Sequence, residues 1–199
     1  MTAGNRFERR KVRTRRDILR AAEQVLAEKG LYEAKIADIA EAADIGVGTV
    51  YLHFQTKEAL TEAVVEDAVR RLKEALDRAR GAATSVLEQV HASTRALCRF
   101  AEENRAVFRV VFGRGGGYHD IVRRAQARFA ADIEQTLAEG VAQGVFGIPS
   151  PSLAAQALVG MSTQLLAWWA EQDATPIDEI EATITHLALC GVGRVTRGI

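Results

Sequence analysis

The sequence predicts an all-α protein of about nine helices, and three observations predict this fold class. Apolar residues recur at helical spacing along most of the chain, and no segment keeps the polar–apolar alternation of a strand. Only 3 prolines interrupt a composition in which the strong helix formers Ala, Leu, Glu and Arg are abundant. With 199 residues, 48% of them hydrophobic, the chain can bury a core without disulfides or metals.

The first helix is predicted to begin at Thr14, a good N-cap residue with Asp17 in the capping-box position. It is predicted to end at Lys29-Gly30, because glycine commonly terminates helices. Its apolar residues fall on one face, at Ile18, Ala22, Val25 and Leu26. Residues 1–13 show no apolar period and are expected to form a mobile basic arm.

Two short helices follow, and a turn separates them. The apolar residues of the second lie at Ile36, Ile39, Ala40 and Ala43, and the third runs from Val47 to Phe54. Asp44 lies in the turn, where the backbone is usually left-handed and where Asp is tolerated. Two short helices joined in this way, with a small residue (Ala40) inside the first, form a helix-turn-helix. Ile36, Ile39, Val50 and Phe54 are its predicted core.

Six further helices are predicted from the same apolar spacing and from the Gly, Pro and cap residues between them. Their predicted spans are 57–80 with Thr56 as the cap, 86–101, 104–112, 121–141, 153–172 and 177–195. Residues 113–117 and 144–151 are predicted to be loops.

The composition argues against several classes of protein. The two cysteines, Cys98 and Cys190, exclude a disulfide scaffold, and four scattered histidines make a metal site unexpected. The glycine-rich stretch 113–117 follows a predicted helix, not a strand, so it does not fit a nucleotide-binding loop. No set of residues suggests nucleophilic catalysis. We therefore expect no enzymatic activity, no cofactor and no bound metal.

No secretory signal or membrane span is expected either. The N-terminus is charged and has no apolar region. The uncharged stretch 153–170 contains Gln156, Ser162, Thr163 and Gln164, so it is predicted to be a helix buried against other helices or at an interface. A cytoplasmic location with reduced thiols is expected.

A formal net charge of zero hides an uneven distribution. The first twenty residues contain 8 Lys and Arg against 2 Asp and Glu, and residues 95–128 contain 8 against 3. A basic segment on a neutral protein indicates an anionic partner, although a solvated charge run is the alternative at both places.

The amino-acid sequence of residues 30–60 closely resembles the DNA-binding segment of the TetR (tetracycline-repressor-like) family of bacterial transcription regulators. Four stretches carry the resemblance: Gly30-Leu31-Tyr32, Asp38-Ile39-Ala40, Gly48-Thr49-Val50-Tyr51-Leu52-His53-Phe54 and Lys57-Glu58-Ala59-Leu60. With the first helix, the resemblance covers residues 14–60, and the remaining helices match the family in number and order.

The resemblance implies a role for each matching residue. Thr49 and its neighbours Gly46, Val47 and Gly48 would face the major groove, whereas Tyr51, His53 and Lys57 would contact phosphates. Two departures leave the base sequence open: Val47 and Lys35 stand where the family often has Lys and a capping Thr or Ser. Lys35 can still reach a phosphate. The basic arm adds Arg9, Arg10, Lys11 and Arg13 as candidate phosphate contacts.

The resemblance also implies two domains, a DNA-binding domain (1–57) and a ligand-binding and dimerisation domain (58–199). Helices eight and nine would form a four-helix bundle with their two-fold mates; the alternative is that these faces fill the core of one chain. The candidate interface residues are Leu158, Leu165, Trp169, Ile180, Ile184 and Leu187.

An apolar cavity for a small effector is expected among helices four to eight. Its candidate lining is Leu72, Leu87, His91, Thr94, Cys98, Phe108, Phe112, Phe129, Met161, Gln164 and Trp168. A structural role for His91 is the alternative. The eight arginines of segment 95–128 would surround its mouth and suit an anionic amphiphile such as a fatty acid or acyl-CoA, because arginine pairs well with carboxylate and phosphate.

The predicted function is that of a homodimeric, ligand-responsive repressor that binds a palindromic operator in double-stranded DNA. A DNA-binding regulator controlled by a protein partner, with no small-molecule ligand, is the alternative. A small all-α enzyme is a remote alternative.

Overall fold

The computed structural model describes residues 3–112, 119–172 and 174–192. Along these residues nine helices follow one another, and no strand is present in them. The helices are α1 (Ala3–Glu33), α2 (Ile36–Ala42), α3 (Val47–His53), α4 (Lys57–Ala82), α5 (Val86–Glu103), α6 (Arg105–Phe112), α7 (His119–Ala142), α8 (Pro151–Ala170) and α9 (Ile177–Val192). The predicted all-α fold class is confirmed.

The start of α1 differs from the prediction. The helix begins at Ala3, so the predicted arm is helical from that residue onward and Thr14 lies inside the helix instead of capping it. Arg, Lys and Glu are good helix formers, and no Pro or Gly interrupts residues 5–29, so the basic segment extends the helix without an apolar period. Gly30 then breaks the helix at φ 76°, a conformation that favours glycine.

The starts of α4, α5 and α8 are explained by local capping. The hydroxyl of Thr56 accepts a hydrogen bond from Ala59 N at 3.0 Å, as predicted, and Ser85 caps α5 in the same way. Ser150 caps α8 and Pro151 occupies its first turn, where a missing N–H costs nothing. The predicted loop at 113–117 and the predicted end of α9 near Val195 lie outside the described residues.

One hydrophobic core is continuous from α1 to α9. It joins the buried faces of the first four helices to those of α5, α6, α8 and α9, and a smaller cluster forms around Leu137 and Phe146. Gly140 is required there, because a Cβ at this position would overlap the Phe146 ring. Among the described residues, no helix is both long and apolar enough to cross a membrane.

Candidate DNA-binding surface and ligand cavity

The short helices α2 and α3 form the predicted helix-turn-helix. Ile36, Ile39, Val50 and Phe54 are all buried, as expected for its core. Asp44 in the turn has φ 53°, the left-handed conformation that the sequence predicts. The backbone N–H of Lys35 donates to the Asp38 carboxylate at 2.9 Å. This hydrogen bond stabilises the start of α2, although the Lys35 side chain has no acceptor group that could cap the helix.

This packing leaves one face of α3 open to solvent. Val47, Tyr51 and Leu52 are exposed, and Thr49 and His53 are half-buried. The Tyr51 side chain is 49% exposed, so Tyr51 is not a core residue. Gly46 and Gly48 also lie on the exposed side, and a Cβ at either position would touch no other part of the protein. This face therefore presents the Tyr51 hydroxyl to solvent, together with the exposed backbone of Gly46 and Gly48.

The basic part of α1 lies beside α3. Arg9, Arg10, Lys11 and Arg13 are all exposed along α1. Burial lowers the pKa of His53 below its ordinary value, and the positive charges of Lys11 and Arg15 lower it further. The Arg15 guanidinium also lies 4.8 Å from the centre of the Phe54 ring. Lys11 and Arg15, in the N-terminal half of α1, thus add positive charge next to the exposed face of α3.

The two lysines predicted to contact phosphates outside α1, Lys35 and Lys57, differ in their surroundings. Lys35 is exposed at the start of α2. The ammonium of Lys57 lies 3.3 Å from the carbonyl oxygen of Tyr32, so it links the start of α4 to the segment that follows Gly30. A phosphate contact by Lys57 would be added to this hydrogen bond or would replace it.

A cavity of about 190 Å³ lies among α4, α5, α6, α7, α8 and α9. Four of the predicted residues line it, namely Leu72, Thr94, Phe108 and Phe129. The other predicted lining residues lie elsewhere or have no described side chain. Cys98 is packed in the core, and Met161 is half-buried outside the lining. The side chain of Phe112 lies outside the described residues. Four others are exposed, namely Leu87, His91, Gln164 and Trp168. The six that lie elsewhere were predicted from helical spacing, which does not specify the helix that a face packs against, and the prediction for Phe112 stays a prediction.

Cys98 is also unsuited to redox sensing. Burial raises the pKa of its thiol to about 12, and the nearby Glu181 contributes in the same direction. A reactive cysteine needs a thiolate that is accessible to solvent, and Cys98 has neither property.

The arginines of segment 95–128 do not surround the cavity in the part of the chain that the structure describes. Arg105 and Arg109 donate to the carbonyl oxygens that end α8, with Arg109 Nε 2.7 Å from Ala170 O, and Arg95 pairs with Glu181. Among the described residues, the charged residue that lines the cavity is Arg80, which the sequence reasoning missed. Its position four residues after Leu76 and eight after Leu72 places it on the same face of α4, and this spacing was the available signal.

The predicted interface residues separate into two groups. Trp169, Ile180 and Ile184 are buried within the protomer and leave no surface for a partner, which corrects the expectation that they lie between two chains. Trp169 Nε1 donates to Thr175 O at 2.9 Å, and Ile184 lines the cavity. Leu158 and Leu165 are half-buried. Leu187 is 46% exposed and remains a candidate for an interface.

One side chain of α4 connects the helix-turn-helix part to the cavity part. Arg71 bonds Glu23 of α1 and Asp67 of its own helix, and its Nη1 donates to Asn104 Oδ1 at 2.9 Å, between α5 and α6. Asn104 is itself buried and donates to Phe100 O. This cluster ties α1, α4 and the α5–α6 junction together.

Comparison with known proteins matches two family models to the chain. Residues 18–64 match the model described as bacterial regulatory proteins of the tetR family, and residues 83–192 match the tetracyclin repressor-like C-terminal domain. The chain belongs to the TetR family. It is therefore a DNA-binding transcription regulator and not an enzyme.

The similarity to known proteins extends over most of the chain. The HTH-type transcriptional activator FasR of Mycolicibacterium smegmatis is 27% identical over 193 residues, which cover 91% of this chain and 83% of FasR. Two solved structures are similar in fold. The fatty acid degradation regulator FadR from Bacillus halodurans has a TM-score of 0.76 and 22% identity, covering 88% of this chain and 97% of its own. FadR from Bacillus subtilis in complex with stearoyl-CoA has a TM-score of 0.75 and 17% identity, covering 88% and 98%.

Proposed function

We propose that this TetR-family protein is a homodimeric repressor that releases its operator when a small hydrophobic effector enters the cavity. The observation that carries the proposal is the position of α4. Its first residue, Lys57, follows the end of α3 by four residues, and the same continuous helix supplies Val65, Leu72 and Arg80 to the cavity wall. A change in the cavity that tilts α4 therefore moves α3, and an effector acts by binding one tilt better than the other.

Homodimerisation is supported by exposed, uncharged stripes on the last two helices. On α8 the stripe comprises Leu153, Ala157, Gly160, Gln164 and Trp168, and on α9 it comprises Thr183, Leu187 and Cys190. Both follow helical spacing, and both contain small residues that permit close approach of a second copy. These residues replace Trp169, Ile180 and Ile184 as the proposed interface.

The chemistry of the cavity supports a hydrophobic effector. Its lining is mainly aliphatic and aromatic, with Arg80 as the charged member among the described residues. The names of the FadR structures and the stearoyl-CoA bound to one of them are consistent with a fatty acid or acyl-CoA as the effector of this protein too. An internal cavity of this kind favours a small molecule over a protein partner as the controlling signal.

The DNA-binding surface is tested by a pair of glycine substitutions. The wild-type protein is expected to select, from random duplexes, palindromes whose half-sites lie roughly 34 Å apart or a multiple of it. Gly48→Ala is expected to raise the free energy of unfolding by roughly 1 kcal/mol, because Ala is the better helix former. It should nevertheless weaken binding to the selected operator at least tenfold, because the new methyl group lies between α3 and the groove.

Gly81→Ala is the matched control. Gly81 is also helical, and a Cβ there also meets open space, but it lies at the far end of α4. It should gain similar stability and leave operator affinity unchanged. Fluorescence anisotropy and urea unfolding measure both quantities. Equal operator affinity of Gly48→Ala and wild type would mean that this face of α3 does not approach DNA.

The effector is tested by titrating the operator complex with long-chain acyl-CoAs, free fatty acids and neutral planar drugs. Release by the acids or their CoA esters is expected. A tenfold loss of operator affinity requires about 1.4 kcal/mol of coupling between the two sites. Release by the neutral drugs alone would reject an anionic amphiphile, and tighter operator binding with the acids would indicate a corepressed system instead of an induced one.

A further inference from the structure

One end of the cavity carries its charged lining residue among the described residues, Arg80, and the polar side chains there are held in a single network. The Thr136 hydroxyl lies 3.1 Å from Gln89 Oε1, and both residues line the cavity. Thr136 follows Asp132 by one turn of α7, and Asp132 Oδ2 accepts a hydrogen bond from Arg80 Nη2 at 2.9 Å. Arg80, Gln89 and Thr136 therefore stand together where α4, α5 and α7 meet.

This end offers hydrogen-bond donors that the described residues do not use. Arg80 Nη2 donates to Asp77 and Asp132, whereas the N–H groups of Nε and Nη1 have no acceptor there. The amide nitrogen of Gln89 likewise has no acceptor among these residues, because only its oxygen is engaged. The Arg80 side chain is only 19% exposed, yet none of the buried side-chain nitrogen and oxygen atoms of the described residues lacks a partner, so these unused donors are open to the cavity or to solvent and an entering ligand can reach them. Unused donors from a cation and an amide favour a negatively charged acceptor.

The charges around Arg80 do not oppose an anion. Lys73 and Arg80 balance Asp77 and Asp132, with Lys73 Nζ 3.1 Å from Asp77 and 3.3 Å from Asp132. The network therefore carries no net negative charge. Because Nε and Nη1 are unused by the described residues, an entering carboxylate can bind Arg80 without displacing Asp132.

The remainder of the cavity suits an aliphatic chain. Away from the Arg80 end its wall is mainly apolar and includes Phe100, Val107, Phe108, Phe129 and Ile184, with Gln126, Ser162 and Thr163 as uncharged polar members. Apolar contact along such a wall stabilises a chain in proportion to the area removed from water. The two ends of the cavity thus differ as the two ends of a fatty acid do.

We propose that Arg80 and Gln89 bind the carboxylate of a linear aliphatic acid whose chain fills the apolar part of the cavity. The inference rests on the proposed effector cavity and adds the class of head group and the residues that hold it. It predicts that the free acid, whose carboxylate binds Arg80, is a tighter ligand than the CoA ester, because the thioester carries no charge at this position.

The test measures ligand binding to the DNA-free protein by calorimetry, with dodecanoate and 1-dodecanol as a charged and a neutral probe of equal chain length. Wild type is expected to bind dodecanoate at least tenfold more tightly than dodecanol, because hydrogen bonds to charged groups are the stronger ones. Arg80→Gln should lose this preference and keep its affinity for dodecanol. Arg78→Gln is the matched control, because Arg78 is an exposed neighbour outside the cavity that carries the same charge, and it should behave as wild type.

A second variant keeps the proposal testable if Arg80→Gln does not fold. Gln89→Met retains the size of the side chain but removes the amide donor, so it should reduce the preference for dodecanoate and spare dodecanol. Equal binding of the two probes by wild type, or an undiminished preference in Arg80→Gln, would overturn the proposal. Tight binding of dodecanoyl-CoA, unaffected by Arg80→Gln, with no binding of dodecanoate would also overturn it.

Operator release is measured separately, which distinguishes this inference from the proposed function. Dodecanoate binding that depends on Arg80 but leaves the operator bound supports the head-group site and contradicts induction. Operator release by dodecanoate that is equal in wild type and Arg80→Gln supports induction and contradicts the head-group site.

Discussion

A Leu187→Glu protein is expected to remain folded, to sediment as a monomer and to lose operator binding. Leu187 is 46% exposed on the α9 stripe, so its replacement disturbs no buried packing within the protomer. In the proposed dimer the new carboxylate would be buried without a partner, which is costly. The overall affinity from two linked half-site contacts exceeds the affinity of either contact alone by about 10²–10⁴-fold, so a monomer should bind the operator more weakly by that factor.

Two matched variants separate an interface effect from other causes. Leu87→Glu introduces the same charge at a leucine of similar exposure, 44%, on α5, and it should stay dimeric with full operator affinity. Ile184, one turn before Leu187 on the same helix, is only 2% exposed, so Ile184→Glu should unfold the protein. Sedimentation velocity, circular dichroism and anisotropy distinguish the three results. A dimeric Leu187→Glu protein would place the interface on another surface.

Replacing four of the basic residues in the N-terminal half of α1 should have the second large effect. Changing Arg9, Arg10, Lys11 and Arg13 together to Gln is expected to weaken binding to all DNA sequences alike, because phosphate contacts carry no sequence information. The slope of log K against log salt concentration should fall by about 0.9 for each phosphate that the variant no longer neutralises. Glutamine is also a good helix former, so α1 should persist.

The control removes four exposed arginines elsewhere. Changing Arg99, Arg123, Arg124 and Arg128 to Gln alters the net charge by the same amount on α5 and α7. This variant should keep the salt dependence of wild type at near-physiological salt, where charges beyond a Debye length are screened. If the two variants lose affinity equally, overall charge, and not contact through α1, would account for the effect.

Local features of the fold could be predicted from the sequence. The helix-turn-helix core, the left-handed Asp44 and the Thr56 cap all depend on residues within a few positions of one another. Their spacing therefore carries the information. The predicted start of α1 was wrong for a local reason too: the absence of an apolar face indicated a loop, but charged residues with high helix propensity continue a helix on the surface.

Features that depend on contacts between distant segments were predicted less well. Thr94 and Phe108 line the cavity whereas Cys98 and Met161 do not, and helical spacing alone does not distinguish them. Arg80 was missed because a charged residue is not expected on an apolar helix face. Its partner Asp132 lies 52 residues away on α7, and no local pattern connects the two.

The bonds of Arg71 have a consequence for how such regulators can be recombined. A chimera joined between residues 57 and 58 would keep Arg71 and Asn104 from one parent and take residue 23 from the other. Unless the second parent also has an acidic residue at position 23, the Arg71 guanidinium would lose one of its carboxylate partners. The DNA-binding part and the cavity part of this chain are therefore not independently exchangeable. A functional exchange has to transfer the matching surface of α1 together with the cavity part.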